Sequence, residues 1–324
     1  MSSIITITFN PAIDKSTTVR ALVPEKKLRC TEPAYEPGGG GINVARAIKK
    51  LGGEATALYL AGGYTGKVFT DLLRKESVNT VIIETADNTR ENLIVAETAT
   101  NQQYRFTMPG PYIKEHEWQE CLAAIENINK ADYIVASGSL PKGVPVNIFA
   151  RIAILAKNKK AKLIVDTSGE ALKMAVNEGV YLIKPNLGEL STLAGKETLN
   201  IERVDDVART VIEKGNCEVV VVSLGPAGAM LVTRDSAVQI IPPAVLRKST
   251  VGAGDSMVAG MVLRLSENKT LLESVQYGVA CGTAATMNPS TELCKKKDAE
   301  HLFRLIQNST NNTILFTKPK NQNK

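Results

Sequence analysis

Short apolar runs alternate along the chain with longer segments of helical period. Five runs have the length and composition of buried strands, namely residues 4–9, 133–136, 163–165, 181–183 and 219–222. Amphipathic segments lie between them, such as the one that places Trp118, Leu122 and Ile125 on one helical face. This alternation is typical of βαβ units, so the sequence predicts an α/β fold with a doubly wound, mostly parallel sheet flanked by helices.

Two segments interrupt this rhythm with the alternation of exposed strands. Residues 16–35 have no helical period, and residues 90–98 and 104–108 predict a β-hairpin around a polar turn. Together they predict a small β-sheet lid. The predicted division of the chain is a discontinuous α/β core (1–14, 36–88 and 109–310), the lid (15–35 and 89–108) and a polar, disordered tail (311–324).

The predicted lid has too few apolar residues to bury both of its faces. Its alternating apolar positions would leave a sticky patch on a monomer; they are Leu93, Val95, Tyr104 and Phe106. We therefore expect a homodimer in which two lids pack together across a two-fold axis.

Composition narrows the choice of partner. The chain has 324 residues and a net charge of +6, but its lysines are scattered and only 5% of its residues are aromatic, which argues against a nucleic-acid partner. An anionic small molecule fits this charge better. The five cysteines stand far apart without a C-x-x-C pair, so neither a disulfide framework nor a zinc site is expected. With no membrane-length apolar run and no leader pattern, the expected location is a reducing cytoplasm, away from membranes.

The segment from Thr250 to Ser256 places two glycines and an aspartate beside an apolar helix predicted at 256–265. An acid beside the anion-binding amides of a helix start suits a base that takes a proton from a hydroxyl attacking a bound phosphoryl group. Asp255 is the candidate for this role. The alternative is an ordinary glycine turn in which Asp255 only stabilises the helix start. The amides of the candidate anion hole are those of Gly252, Ala253 and Gly254.

A second glycine run, residues 38–41, leads into a helix that contains Asn43. A backbone without side chains lets a ligand approach the main-chain amides, and Asn43 offers a donor and an acceptor to hydroxyl groups. A flexible linker is the alternative. Neither this run nor residues 62–67 has the spacing of a dinucleotide or Walker loop, so a nucleotide would be held in another way.

Polar groups follow several of the predicted strands, at the edge that borders the ligand crevice in open α/β sheets. Asp14 suits hydrogen bonds from sugar hydroxyls, with a plain turn aspartate as the alternative. Glu189 lies three residues after Asn186 and either acts through Mg²⁺-bound water or is a first-turn acid of a helix. The other strand-end groups are Ser137, Ser139, Asp166, Lys184, Ser223 and Gly225.

Four cations fall in the predicted lid. Lys27 and Arg29 lie two residues apart, hence on one face of a predicted strand, where they meet either a phosphate or solvent. Arg90 and Arg105 lie in the predicted hairpin within reach of an anionic ligand, although an arginine on an exposed strand is usually only solvated. Four cations in one layer suit an anionic acceptor.

The sequence resembles the ribokinase-like, or PfkB, family of carbohydrate kinases over nearly its whole length. Two family signatures occur in order and at family spacing: GGGGINVARAIKKLGG followed by AGGYTG, and STVGAGDSMVAGMV. The segments KPNLGEL and VVSLGPAGA match the family's metal and nucleotide segments. Within the family the chain is most similar to the bacterial minor-isozyme type of 6-phosphofructokinase, through EKKLRCTEPAYEPGGGGINVARAI, QYRFTMPGP, ASGSLPKGV and DTSGEAL.

The resemblance implies roles for individual residues. Asp255 would be the base, residues 252–254 the anion hole, and Asn186 with Glu189 the organisers of hydrated Mg²⁺. The implied ligands of the sugar phosphate are Asp14, Lys27, Arg29, Gly39, Asn43, Arg90, Arg105 and Ser139. The implied ATP site consists of Lys184, Asn186, Ser223, Gly225 and Gly228. A monovalent-cation loop would use Ser249, Val251, Ala285 and Asn288, but residues 289–292 depart from the family pattern and leave K⁺ binding open.

The implied reaction is ATP- and Mg²⁺-dependent phosphorylation of the 1-hydroxyl of fructose 6-phosphate, giving fructose 1,6-bisphosphate and ADP. Tagatose 6-phosphate and fructose 1-phosphate are alternative acceptors, because each carries a phosphate and a primary hydroxyl at opposite ends of a ketose. A non-catalytic sugar-phosphate sensor is disfavoured by Asp255, since a binding protein needs no base. A nucleoside or vitamin kinase is disfavoured by the four cations of the lid.

Overall fold

The computed structural model describes residues 3–308 and 312–316. Its strands, in chain order, are β1 (Ile4–Thr8), β2 (Ala12–Val19), β3 (Ala34–Gly38), β4 (Thr56–Gly62), β5 (Asn79–Thr85), β6 (Arg90–Glu97), β7 (Gln102–Phe106), β8 (Tyr133–Ser137), β9 (Lys162–Asp166), β10 (Val180–Ile183), β11 (Cys217–Ser223), β12 (Ala229–Val232), β13 (Ala237–Ile240) and β14 (Thr313–Phe316). Its α-helices are α1 (Gly40–Lys50), α2 (Gly63–Lys75), α3 (Glu115–Asn127), α4 (Ile148–Asn158), α5 (Gly169–Glu178), α6 (Leu187–Leu193), α7 (Val204–Lys214), α8 (Ala253–Ser266), α9 (Leu271–Thr286) and α10 (Lys296–Asn308).

The larger sheet has ten strands in the order β14-β13-β12-β11-β10-β9-β8-β1-β4-β5. Strands β5 to β11 of this order are parallel, whereas β12, β13 and β14 continue the sheet in antiparallel pairs. One face of the sheet is covered by α1, α2 and α8 to α10, and the other by α3 to α7. The predicted fold class, a doubly wound and mostly parallel α/β sheet with helices on both faces, is confirmed.

The smaller sheet is the lid, with the strand order β3-β2-β6-β7. The predicted hairpin is present as β6 and β7, and its register pairs Leu93 with Phe106 and Val95 with Tyr104. Val95 is 5% exposed, whereas Tyr104 and Phe106 are 37% and 45% exposed. The predicted sticky patch is therefore smaller than the alternation suggests, because Val95 is covered.

Two details of the lid differ from the prediction. The sequence predicts a loop for Ala12 to Asp14, but β2 starts at Ala12, which pairs with Gly38 on one side and Arg90 on the other. The dipeptide Asn10-Pro11, which is typical of turns, forms only a bend between β1 and β2. The prediction of a strand through Lys27 and Arg29 is also wrong, since residues 20–33 form an irregular, mostly exposed connection. Thr31 N donates to Thr18 O at 3.1 Å, but residues 21–30 pair with no strand of the described sheets.

The C-terminal tail differs as well. Polar composition predicts disorder from residue 311 onward, but Thr313–Phe316 pairs with β13 and adds the last strand to the large sheet. The open edge of β13 supplies backbone partners that composition cannot reveal. The rest of the predicted tail, residue 311 and residues 317–324, lies outside the described residues.

Helix α8 starts earlier than its predicted span of 256–265. Gly252 precedes it with a φ of 70° in the left-handed region, and the helix begins at Ala253. Gly254 and Asp255 therefore belong to its first turn. Close packing against α9 depends on Gly260, because a Cβ there would lie 2.6 Å from Cys281 Sγ.

All five cysteines are free, in agreement with the absence of a disulfide framework expected from their spacing. Within residues 3–308 and 312–316, no helix combines the length and the apolar character that a membrane span requires.

Candidate active site

The carboxylate of Asp255 lies where α1 and α8 meet, at the edge of the large sheet formed by the carboxyl ends of its parallel strands. Asn43, in the first turns of α1, donates from Nδ2 to Asp255 Oδ2 at 2.9 Å. The two residues are 212 positions apart in the chain. The fold therefore joins the two glycine-rich motifs into one site.

Burial, and after it the negative charge of Asp166, raise the pKa of Asp255 from 3.8 to about 7. The hydrogen bond from Asn43 and the positive charge of Lys184 oppose this rise, while the charge of Asp14 adds to it. A carboxylate with a pKa near neutrality is ionised in about half of the molecules at that pH and accepts a proton efficiently.

Lys184, which follows β10, is buried at 6% exposure and forms an ion pair with Asp166, with 3.2 Å between Nζ and Oδ1. Burial lowers the pKa of Lys184, but the charge and hydrogen bond of Asp166, together with Glu189 and Asp255, outweigh it and raise the pKa overall. The lysine is therefore a fixed cation beside Gly254, whose added Cβ would lie 3.5 Å from Nζ.

Asp14 lies in β2, next to the glycine run. Asn92 of β6 donates from Nδ2 to Asp14 Oδ1 at 2.8 Å, and Gly38 packs so closely against the carboxylate that a side chain at 38 would collide with it. Burial raises the pKa of Asp14, against the hydrogen bond from Asn92 and the charge of Arg90. Asp14 is thus a lid residue held towards the site rather than a plain turn aspartate.

Arg90 and Ser139 meet through Asn10, a buried residue between β1 and β2. Arg90 donates to Asn10 O at 3.0 Å and to Met108 O at 3.1 Å, while Asn10 Nδ2 donates to Ser139 Oγ at 3.0 Å. Asn10 Oδ1 and Arg90 Nε are buried without a hydrogen-bond partner among the described residues. Gly39 has a φ of 115°, which favours glycine, and a Cβ added to it would lie 3.1 Å from Pro11 Cα. Position 39 therefore requires glycine.

Arg105 reaches from the lid to the core, where Nη2 donates to Thr250 Oγ1 at 3.3 Å. It lines an open pocket of about 480 Å³ together with Gln103, Arg247, Lys248, Ser249 and Thr250. Two further cations, Arg247 and Lys248, thus lie beside the segment that carries Asp255. Lys27 and Arg29 are exposed in the 20–33 connection, and no hydrogen bond or ion pair of the described residues ties them to this cluster.

A second cleft of about 640 Å³ adjoins the first, with Arg247 and Thr250 common to both. Ala253 and Gly254, which directly precede Asp255, line this cleft, and Met257, Val279 and Gly282 add apolar surface. Three of the predicted nucleotide ligands line it: Ser223, Gly225 and Gly228. The volume and the partly apolar lining of the cleft suit a purine nucleotide.

Asn186 and Glu189 form a capping box at the start of α6. Glu189 N donates to Asn186 Oδ1 and Asn186 N donates to Glu189 Oε2, both at 2.9 Å. Glu189 is therefore a first-turn acid of α6, as one of its two interpretations predicts. None of the hydrogen bonds described here uses Oε1 of Glu189, so one carboxylate oxygen remains for a hydrated ion near Lys184.

The predicted cation-loop residues lie together. Ser249 Oγ donates to Ser290 O at 2.6 Å and accepts from Val251 N at 3.2 Å, while Asn288 N donates to Ala285 O at 3.1 Å. Ser290 has a φ of 54°, and its buried hydroxyl has no partner among the described residues.

Several residues of the site escape prediction. Asp166 is recognised only as one polar group among many at strand ends, and Asn10, Asn92, Arg247 and Lys248 have no motif signal. Arg46 is buried within α1 and contacts Asn43. Its only sequence signal is a charge among the apolar and small residues of that helix.

A base beside a helix start, a nucleotide-sized cleft and a cation-lined pocket on an α/β sheet with a lid define a small-molecule kinase. The chain belongs to the pfkB family of carbohydrate kinases, whose family model matches residues 6–298. It is an enzyme that transfers a phosphoryl group to a hydroxyl, as the family resemblance implies.

The chain is similar in sequence to several bacterial phosphofructokinases. The chain is 45% identical over 307 residues to the ATP-dependent 6-phosphofructokinase isozyme 2 of Escherichia coli K12, covering 94% of this chain and 99% of that protein. It is 42% identical to the isozyme 2 of Mycobacterium tuberculosis over 308 residues, covering 95% and 91%. The 1-phosphofructokinase of Bacillus subtilis is 31% identical over 285 residues, covering 88% and 93%.

Solved structures agree with these relationships. Phosphofructokinase-2 of Escherichia coli in complex with fructose-6-phosphate has a TM-score of 0.90 and 43% identity, covering 95% of this chain and all of that one. The same protein in complex with potassium has a TM-score of 0.91 and 44% identity, with the same coverage.

Proposed function

We propose that the protein transfers the γ-phosphoryl group of ATP to the 1-hydroxyl of fructose 6-phosphate, giving fructose 1,6-bisphosphate and ADP in the cytoplasm. The observation that carries this proposal is the position of Asp255. Its neighbours Ala253 and Gly254 line the nucleotide cleft, while its own carboxylate bonds Asn43 on the sugar side. A hydroxyl bound between them has both a base and a phosphoryl donor within reach.

In this proposal the oxygen of the sugar 1-hydroxyl attacks the γ-phosphorus while Asp255 accepts the hydroxyl proton. The bond between the γ-phosphorus and the oxygen that bridges it to the β-phosphate breaks, and ADP leaves. Negative charge on the transferred group meets the first-turn amides of α8, which have no intrahelical carbonyl partner. Lys184, held by Asp166, adds a fixed positive charge beside Gly254. These groups stabilise charge that develops in transfer without having to reorganise.

The sugar phosphate is assigned to the lid side of the site. Asp14, Gly39, Asn43 and Ser139 suit the sugar hydroxyls, because Asn43 bonds Asp255 while Asn92 and Asn10 hold the side chains of Asp14 and Ser139. Arg105 suits the 6-phosphate, since it already reaches across to Thr250 in a pocket with Arg247 and Lys248. Arg90 supports this side, with its buried Nε still unpartnered in the described part of the chain.

Mg²⁺ fits the nucleotide side as a hydrated ion. The described residues hold no group of three or more acidic, histidine or cysteine side chains that would form a protein cage for a metal. Mg²⁺ commonly keeps several waters and binds substrate phosphates, so one carboxylate oxygen of Glu189 next to Lys184 is sufficient to organise it. When bound, the ion neutralises phosphate charge.

The loop around Ser249 and Asn288 is the proposed site of a monovalent cation. Hard oxygen atoms gather there, including the buried hydroxyl of Ser290, which lacks a hydrogen-bond partner among the described residues. An oxygen without a donor in a buried loop suits a cation ligand. The departure at 289–292 therefore leaves oxygen ligands in place.

We propose a homodimer formed through the lids, since Tyr35, Tyr104 and Phe106 are exposed on this small sheet. Lys27, in the exposed 20–33 connection, is proposed to reach the substrate phosphate of the neighbouring subunit. Mixing the inactive variants Lys27→Ala and Asp255→Asn tests this geometry, because a heterodimer would contain one site without either defect. Verified heterodimers that stay inactive would assign Lys27 to its own subunit or to no role.

The direct test of function is ADP release measured across fructose 6-phosphate, tagatose 6-phosphate and fructose 1-phosphate. We expect the highest kcat/KM with fructose 6-phosphate and a loss of roughly 10² or more in kcat for Asp255→Asn, with the KM for ATP nearly unchanged. Preference for fructose 1-phosphate would replace the proposed acceptor. A loss of tenfold or less in Asp255→Asn would remove Asp255 from the role of base.

A further inference from the structure

Arg46 is among the largest fully buried side chains of the protein, at 1% exposure. All three of its nitrogen atoms donate hydrogen bonds. Nε contacts both carboxylate oxygens of Glu76 at 3.0 Å, and Nη2 contacts Glu76 at 2.6 Å and Glu36 at 3.4 Å. Nη1 donates to Pro37 O at 2.6 Å and to Asn43 Oδ1 at 3.3 Å. The guanidinium is thus immobilised between α1, the end of α2 and the lid strand β3.

The contact with Asn43 has a chemical consequence. A guanidinium has only donors, so the amide atom that faces it must be the oxygen. Asn43 and Arg46 are three residues apart on one face of α1, and this places the amide between Arg46 and Asp255. With Oδ1 committed to Arg46, the Nδ2 group is the one that faces Asp255. A flipped amide would set NH₂ against the guanidinium and oxygen against the carboxylate.

We propose that Arg46 is a positioning residue for the transfer reaction, which fixes the Asn43 amide so that its donor faces the Asp255 carboxylate. The inference rests on the proposed role of Asp255 as the base. Arg46 lines neither of the two clefts and donates no hydrogen bond to Asp255, so its direct contact with the site is the one to Asn43, while its charge also acts on Asp14. A structural role in joining α1 to α2 would not require the Asn43 contact.

The same guanidinium ties this arrangement to the lid. Pro37 and Glu36 belong to β3, and Glu36 also accepts a hydrogen bond from Thr291 Oγ1 near the proposed cation loop. Gly38, next in β3, packs on Asp14. Arg46 therefore binds the lid strand and the amide that faces the base at the same time.

The charged groups that face Asp255 from the surrounding elements are Asp166, Lys184 and Asp14. Arg46→Lys leaves these three side chains in the protein and keeps the positive charge that also acts on Asp14, whereas the Asn43 hydrogen bond, which lowers the pKa of Asp255, is weakened. In Arg46→Lys the ammonium keeps the charge near Glu76 but cannot also hold Asn43. We expect the acid limb of the kcat profile to move up by about one pH unit and kcat at neutral pH to fall by roughly fivefold, with the KM for ATP unchanged within about twofold.

Glu76→Gln is the matched control, because it removes charge from the other side of Arg46 and has no contact with Asn43. It should lower the melting temperature without moving the acid limb. In an Asn43→Ala background, Arg46→Lys should cause no further shift. If Arg46→Lys fails to fold, the double variant Arg46→Met with Glu76→Leu replaces the ion pair with apolar side chains, which proteins often tolerate, and should show the same shift.

An acid limb that stays in place in the folded Arg46 variants, or that moves equally in Glu76→Gln, would overturn the proposal and leave Arg46 a structural residue. The proposed function is tested separately, since high activity of Asp255→Asn would refute the base itself. A negative result for Arg46 with an inactive Asp255→Asn would refute only the positioning role.

Discussion

Asp255→Asn should make the protein more stable while it removes activity. A carboxylate whose pKa is about 7 in the folded protein and 3.8 in the unfolded chain binds its proton more tightly when folded. Stability is then lost as the pH rises from about 4 to about 7, because folding must proceed with a buried charge that the unfolded chain solvates freely. Asparagine keeps the shape of the side chain and carries no charge.

The size of the gain follows from the shift. About three pKa units correspond to about 4 kcal/mol as an upper limit, and screening by water at the mouth of the cleft reduces it to about 1–3 kcal/mol. The gain should be largest at pH 8, smaller at pH 6 and nearly absent near pH 4. Thermal unfolding of the parent and Asp255→Asn across this range measures it, with a rise in melting temperature of a few degrees expected at pH 8.

The kinetic counterpart uses the parent enzyme. The base must be ionised, so kcat should fall as the pH drops below about 7. A stability gain that is absent at pH 8, or that does not change with pH, would show that the pKa of Asp255 is not raised. An acid limb far below pH 7 in the same protein would point to the same conclusion.

Three further changes test neighbouring parts of the site. Gly254→Ala should lower kcat at least tenfold without loss of melting temperature, because a Cβ there meets only Lys184 at 3.5 Å but intrudes on the phosphoryl group; Gly260→Ala, whose Cβ would lie 2.6 Å from Cys281 Sγ, should instead lose stability. Arg105→Ala should raise the KM for fructose 6-phosphate by roughly 10- to 100-fold with little change for ATP, and equal increases for both substrates would contradict the phosphate assignment. Ser290→Gly should relieve the left-handed backbone at 290 and raise the melting temperature by about 1–2 °C in the absence of K⁺, whereas a fall would show that the hydroxyl stabilises the loop.

The parts of the fold that sequence predicts well are those encoded by local periodicity. The buried strands and the Trp118 helix follow from apolar spacing, which does not depend on the partner across the sheet. Errors arise where the pairing of a segment with a distant strand decides its structure. Lys27 and Arg29 have the spacing of a strand, but no strand of the described sheets pairs with their segment. Thr313–Phe316 has a polar context, yet the edge of β13 makes it a strand.

The site shows the same division. Asp255, Asn43 and Lys184 can each be predicted separately, because each belongs to a glycine-rich motif or follows a predicted strand. Their mutual geometry is long-range, as in the Asn43 and Asp255 contact. Arg46 escapes altogether, since its importance depends on Glu76, 30 residues away, and on a lid strand that packs beside it. No local pattern encodes such a junction.

The lid and the helix that carries Asn43 form one continuous stretch of chain, since β3 ends at Gly38 and α1 begins at Gly40. A tilt of β3 is therefore passed on to the start of α1 and to the amide that faces Asp255. The backbone at the edge of the lid therefore also sets the geometry of the Asn43–Asp255 contact, so a change in the lid reaches the site through the chain itself as well as through Arg46.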